Sequence, residues 1–383
     1  MPGRAVLSAG VLLAAVLGSV HAFSVFLEPL EAKFGAGRAE VSLTYSIALI
    51  AITAMVTMGG RIYHRAPAWV IVAGLSILGL FGATISAMAP GLPGVWLGYG
   101  VLFGAANGIG YGFALQLSAQ AWPGREGLAM GVITAAYAVG ASAFPLVFGA
   151  ALERGGFAAA MVVLGAALVL AGTAACWLLW KVHARFQKVD SAAAGEGAGA
   201  LEISATWLAY GLAVFAGLMA IGHATEIARA LGVAAAGVVA APVVIAVCNM
   251  AGSLGGGWLT DRLRPSALMI ALALASAVVL LAMGAGSEVP PLAGLGVIGL
   301  AYGAVITVTP AMIARRFGVA TGVSVYGRVF TAWAVAGLGG PVLAGWMFDR
   351  TGGYETALLL AGGLAVLSAV VTVISARLQG QPR

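Results

Sequence analysis

Twelve apolar runs, each longer than 20 residues, follow one another along this 383-residue chain. They fall near 5–27, 40–61, 68–88, 93–119, 127–150, 158–181, 204–225, 233–257, 266–286, 290–313, 319–345 and 356–377. A helix needs about 20 apolar residues to cross the hydrocarbon core of a bilayer. Unpaired backbone groups in lipid are too costly to tolerate, and these runs are far longer than barrel strands. The predicted fold is therefore an all-α membrane protein of twelve transmembrane helices. The first run, behind Arg4, has some features of a secretory leader, but its length and the eleven runs after it make it the first span.

Composition agrees. The chain is 61% hydrophobic and 8% charged, against about 25% charged in soluble domains. Its 57 glycines suit helices packed closely in lipid. The net charge of +6 is no sign of nucleic-acid binding, because the basic residues sit between the apolar runs. With the N-terminus placed in the cytoplasm, thirteen basic residues fall inside and five outside, which is the positive-inside arrangement. This puts both termini on the cytoplasmic side of the cytoplasmic (inner) membrane. Cys176 and Cys248 lie within apolar runs and imply neither a disulfide nor a metal site. No nucleophile–base pair or metal-ligand cluster stands at a suggestive spacing, so no enzyme and no cofactor is expected. The longest polar interruption, 183–202, divides the chain into an N-terminal six-helix bundle (1–182), a cytoplasmic linker (183–202) and a C-terminal six-helix bundle (203–383).

One short pattern recurs four times: Gly, three residues, an acid or His, then Arg. Its copies are Gly60/His64/Arg65, Gly149/Glu153/Arg154, Gly257/Asp261/Arg262 and Gly345/Asp349/Arg350, spaced 89, 108 and 88 residues apart. Each ends the second helix of a three-helix group, and the central linker accounts for the longer middle spacing. At an offset of 196, Gly100 matches Gly296, Gly131 matches Gly327 and Pro145 matches Pro341. Three helices is an odd number, so successive units are inverted, while the six-helix halves share one orientation. Gly257, Asp261, Arg262, Gly345, Asp349 and Arg350 are read as a conformational latch: the glycines admit close helix approach and the charged pairs lock one state.

The stretches "HAFSVFLEPLEAKFGAGRAEVSLTYS", "AWPGREGLAMGVITAAYAVG", "GLMAIGHATEIARALG", "GGGWLTDRLRP" and "YGRVFTAWAVAGLGGPVLAGWMFDRTGGYETAL" stand at corresponding positions in both halves. Together they resemble the oxalate:formate antiporter and monocarboxylate transporter families of the major facilitator superfamily. The resemblance implies a secondary transporter of a small organic anion, working by alternating access, with a cavity between the halves lined mainly by helices 1, 4, 7 and 10. It also implies two basic positions for the anion. At the first, Asn249 and Gly252 are followed by Ser253 instead of Arg; at the second, Trp333 stands in place of Lys. A neutral or amphipathic solute is the alternative substrate class.

Polar groups within spans are candidates for the substrate site. They are His21 in helix 1; Asn107 and Tyr111, four residues apart on one face of helix 4; Tyr137; Asn249; Ser253; Tyr302; Trp333; and Arg328. Arg328 is the one basic residue placed inside a span. It is either a replacement anion handle or a side chain that snorkels to the cytoplasmic surface. No Asp or Glu lies within a span away from a helix end, so a coupled proton would need a His or the substrate's own proton. The expected partners are thus a small-molecule substrate, the lipid bilayer, and a proton or counter-transported anion.

Overall fold

The computed structural model describes residues 2–187 and 199–380. All regular structure among them is helical. Helix α1, Pro2–Leu17, runs on into a 3-10 segment, Gly18–Phe26, and a short helix, Leu27–Phe34. Then come α2, Arg38–Ile62, and α3, Ala68–Ala87. Helix α4 starts at Leu92–Val95, widens into a π segment over Trp96–Phe103 and closes as Gly104–Ala121. The next 56 residues, Glu126–Lys181, break at Gly155 and Gly156, where Gly156 takes φ 64, so they form two crossings, α5 (126–154) and α6 (157–181). A left-handed φ of this kind is cheap for glycine only. The remaining helices are α7, Ala200–Ile221; α8, Ala235–Thr260; α9, Pro265–Gly284; α10, Pro291–Phe317; α11, Val319–Thr351; and α12, Glu355–Gly380. A short helix, Ala224–Ala230, lies between α7 and α8.

Ten helices among the described residues are long and apolar enough to cross a membrane. Dividing the 56-residue stretch at its glycines and counting the three pieces of α4 as one crossing gives the twelve that the sequence predicts. The outward faces are apolar as well: Ile77, Phe81, Leu170 and Val342 are each more than 60% exposed. Faces of this kind suit lipid and not water.

The helices fall into two compact groups. One holds the residues up to Pro123 and those from Ala136 to the end of α6; the other holds Gly124–Ala135 and the described residues from 199 onward. The expected linker, 183–202, falls partly on 188–198, which lie outside the described residues.

Glycine decides the packing of α4 on α2. Gly100, Gly104, Gly108 and Gly112 recur every fourth residue and so share one face. They lie against Ile47, Ala48, Ile52 and Val56 of α2 in turn. A methyl at Gly104 would stand 2.9 Å from the Ala48 Cα, and one at Gly108 would overlap the Ile52 carbonyl. The second group repeats the device between α10 and α8: Gly299 sits on the Ile245 carbonyl, Gly303 on that of Asn249, and Gly252 on that of Leu300. Small residues let backbones approach closely where lipid offers no hydrophobic drive to association.

All four copies of the Gly-x3-acid/His-Arg pattern end a helix. His64 and Arg65 follow α2, Glu153 and Arg154 precede the Gly155–Gly156 break, Asp261 caps α8, and Arg350 lies in the last turn of α11.

Candidate functional site

In the first group the candidates His21, Asn107, Tyr111 and Tyr137 come together. Asn107 is fully buried on α4. The Tyr137 hydroxyl of α5 donates to its Oδ1 at 3.0 Å. That fixes the amide, and Nδ2 donates to the Leu17 carbonyl of α1 at 2.5 Å. The rings of Tyr111 and Tyr137 pack with centroids 4.8 Å apart. His21, half-buried on the 3-10 segment, stands edge-on to Tyr137 at 5.5 Å. Its Nδ1 lies 2.7 Å from the hydroxyl of Tyr45 on α2. Tyr45 escaped sequence reasoning because it belongs to another helix and no spacing rule links it to position 21.

In the second group Ser253 meets Asn249, and Trp333 meets Tyr302. Ser253 is fully buried, and its hydroxyl is 3.2 Å from the Gly303 carbonyl and 3.4 Å from Asn249 Oδ1. The Trp333 indole N–H donates to the Tyr302 hydroxyl at 3.0 Å, and its ring stacks on Phe330 at 5.3 Å. Trp333 is 7% exposed. At the two positions where the resemblance expects cations, this chain thus holds a buried hydroxyl and a buried, hydrogen-bonded indole.

Arg328 differs from all of these. It is exposed, on the same face of α11 as Ser324 and Thr331. Among the described residues its guanidinium makes no hydrogen bond or ion pair. Thr331 donates to the Arg328 carbonyl at 2.7 Å and accepts from the Trp207 indole N–H of α7 at 2.8 Å. The face changes character along its length: beyond Thr331 it continues as Val335, Leu338, Val342 and Trp346, all exposed and apolar. The polar half surrounds Arg328.

The latch residues divide. The Asp261 carboxylate at the end of α8 accepts the backbone N–H groups of Gly127 at 2.8 Å and Leu128 at 2.9 Å. These are among the first, unpaired amides of α5, where the helix dipole favours an anion. Gly257 and Gly131 bring the two backbones together. Arg262 instead stacks on Trp258, four residues back on its own helix, at 3.9 Å, and Arg350 stacks on Trp346 in the same way at 4.3 Å. Gly345 faces the imidazole of His223, which is 2.8 Å from the Pro341 carbonyl and 3.1 Å from the Tyr354 hydroxyl. The side chain of Asp349 lies outside the described residues. No group of His, Cys, Asp and Glu among the described residues is arranged to hold a metal.

The Major Facilitator Superfamily family model matches residues 7–287. An uncharacterized MFS-type transporter of Escherichia coli (strain K12), YhjX, is 25% identical over 337 residues, covering 84% of this chain and 82% of that protein. The oxalate:formate antiporter of Oxalobacter formigenes is 23% identical over 393 residues, covering 97% and 91%. Among solved structures, the human organic anion transporter MFSD10 (TETRAN) has a TM-score of 0.72 at 14% identity, covering 97% of this chain and 100% of that one. The fold of FucP in its outward conformation is also similar, with a TM-score of 0.70 at 16% identity and 98% of both chains covered. Twelve apolar helices, a matching family model and full-length relatives lead to one conclusion: this integral membrane protein, a secondary carrier and not an enzyme, belongs to the Major Facilitator Superfamily.

Proposed function

We propose that the protein carries a small organic anion of the carboxylate type across the cytoplasmic membrane by alternating access, with both termini in the cytoplasm. The observation behind this reading is Arg328. It lies nine residues into α11, about 13 Å along the helix axis. A lone guanidinium at such depth costs a few kcal/mol or more in lipid, so intramembrane charge is kept for function. Its exposed, polar surroundings, with no ion pair to it among the described residues, suit it to grip a carboxylate, which a planar guanidinium does in two-point fashion. Relatives named for oxalate, formate and monocarboxylates support the same class. In this reading His21, Asn107, Tyr111, Tyr137, Asn249, Ser253, Tyr302 and Trp333 supply the polar and aromatic contacts or their support. A proton or a counter-transported anion supplies the drive.

The second reading, a neutral or amphipathic solute, rests on Ser253 and Trp333, which place no charge where the resemblance expects two. Proteoliposome uptake of radiolabelled lactate, pyruvate, oxalate and formate, beside xylose as neutral control, separates the two. The anion reading expects uptake of at least one anion, a rise in KM of about tenfold or more in Arg328→Gln, and partial recovery in Arg328→Lys. Unchanged affinity and rate in Arg328→Gln reject Arg328 as the handle and favour the neutral solute.

A further inference from the structure

Trp207 and Arg328 stand at one level of the second group. Helices α7 and α11 run side by side in the same direction: Gly211 lies against Ala332, Gly340 against Met219 and Gly222 against Pro341. Trp207 lies seven residues into α7, about 10 Å along its axis, and Arg328 nine residues into α11, about 13 Å along. Thr331 joins the two. Its hydroxyl accepts from the Trp207 indole N–H at 2.8 Å and donates to the Arg328 carbonyl at 2.7 Å. The turn of α11 that carries the guanidinium thus also fixes the indole. Trp207 is half-buried and its one polar atom is engaged, so the rest of the ring is an apolar aromatic wall.

The cation and the wall are kept apart. Lys181, Arg262 and Arg350 each lie over the tryptophan four residues back on their own helix, Trp177, Trp258 and Trp346, at 4.3, 3.9 and 4.3 Å. The equivalent position for Arg328 is Ser324, whose hydroxyl donates to the Thr321 carbonyl at 3.1 Å. Among the described residues the Arg328 guanidinium lies over no ring, the Trp207 indole included. The charge is also single. Helix α7 holds no Lys or Arg, and the next one along α11 is Arg350, about 33 Å away. At the end of α10, Arg316 is paired with Glu202 at 3.3 Å and Arg315 with the Thr260 carbonyl. One guanidinium matches one carboxylate. A second carboxylate, as in oxalate, would meet the indole and lose water without gaining a partner, which is costly.

We propose that the substrate is an aromatic monocarboxylate, with Arg328 on its carboxylate and Trp207 against the face of its ring. The proposal rests on the anion-carrier reading above and narrows its substrate class. Arg328 and Thr331 are one turn apart, so the grip and the wall are offset by about 5 Å. A carboxylate joined to a six-membered ring spans such an offset. Aromatic rings prefer offset or edge-on contact to apolar contact of equal area, and the indole cannot turn away while Thr331 holds its N–H. Trp207 thus sets specificity for the body of the substrate, and Arg328 for its charge. Sequence spacing gives no hint of this pair, because the two residues are on different helices.

The test titrates the purified full-length protein by calorimetry with benzoate, cyclohexanecarboxylate, pyruvate and oxalate. Cyclohexanecarboxylate has the charge and nearly the size of benzoate but no π face. The wild type should bind benzoate about threefold to tenfold more tightly than cyclohexanecarboxylate, pyruvate more weakly, and oxalate most weakly of all. Trp207→Ala should raise the Kd of benzoate about tenfold and leave that of pyruvate within about twofold, which also shows that the variant is folded. Trp207→Phe keeps a ring and should hold benzoate within about threefold of the wild type. Arg328→Gln should weaken benzoate and pyruvate alike. Cyclohexanecarboxylate or oxalate bound by the wild type as tightly as benzoate overturns the proposal without recourse to any variant, and so does an unmoved benzoate Kd in Trp207→Ala. Pyruvate preferred to benzoate defeats this proposal alone and leaves the anion-carrier reading standing. No binding of any of the four anions by the wild type defeats both.

Discussion

Asp261 holds the backbone N–H of Gly127 at 2.8 Å, so the residue that ends α8 also caps the first turn of α5. The same carboxylate takes the Leu128 N–H at 2.9 Å. Two amides and a helix dipole converge on one charge, each alone a modest effect.

Asp261→Asn keeps the size but loses the charge, and its NH2 cannot accept. Hydrogen bonds to charged groups contribute about 1.5–3 kcal/mol, and solvent access to the half-buried Asp261 lowers that. The expected result is a shift of about fivefold to tenfold in the ratio of conformers, read from spin-label distances between α5 and α8. An unchanged distance distribution would leave Asp261 a simple helix cap with no part in a latch.

Gly108→Ala and Gly303→Ala should each destabilise the protein, because the new methyl meets the carbonyl of Ile52 or Asn249. Overpacking of this kind costs about 1–3 kcal/mol. Gly255→Ala is the control, since nothing lies within 4 Å of its Cβ position. Thermal unfolding in detergent should show a lower Tm for the first two and an equal or slightly higher Tm for the third. Equal Tm values for all three would mean that the α2–α4 and α8–α10 contacts are looser than described.

The orientation proposed for the termini is open to labelling. With Cys176 and Cys248 replaced by Ser, a cysteine at Ala193 should react with an impermeant maleimide only when the reagent reaches the cytoplasmic face. Labelling from the opposite face in intact cells would reverse the assignment and, with it, the sidedness of Arg328.

The sequence by itself determined the class, the number of crossings and the repeat. A 20-residue apolar run has few fates, because lipid cannot satisfy a backbone N–H or C=O and a helix does so within the run. The ends of α2, α5, α8 and α11 were equally legible, since Gly and charged residues stop an apolar helix at the interface. Only the tertiary structure decided what the polar residues within the spans do. Asn107 and Tyr111 share a helix face by spacing alone, but the bond of Asn107 to Leu17 joins residues 90 positions apart. Arg262 and Asp261 are adjacent in sequence, yet one turns back onto Trp258 and the other reaches Gly127. Periodicity along one helix fixes which side chains share a face; the partner across that face depends on which helix packs there and at what height. In α1 the turn itself changed, from α to 3-10 at Gly18, because Asn107 and Tyr99 of another helix hold its carbonyls. No local propensity in "GSVHAFSVF" encodes that tightening. It comes from the approach of α4, and the direction of His21 follows from it.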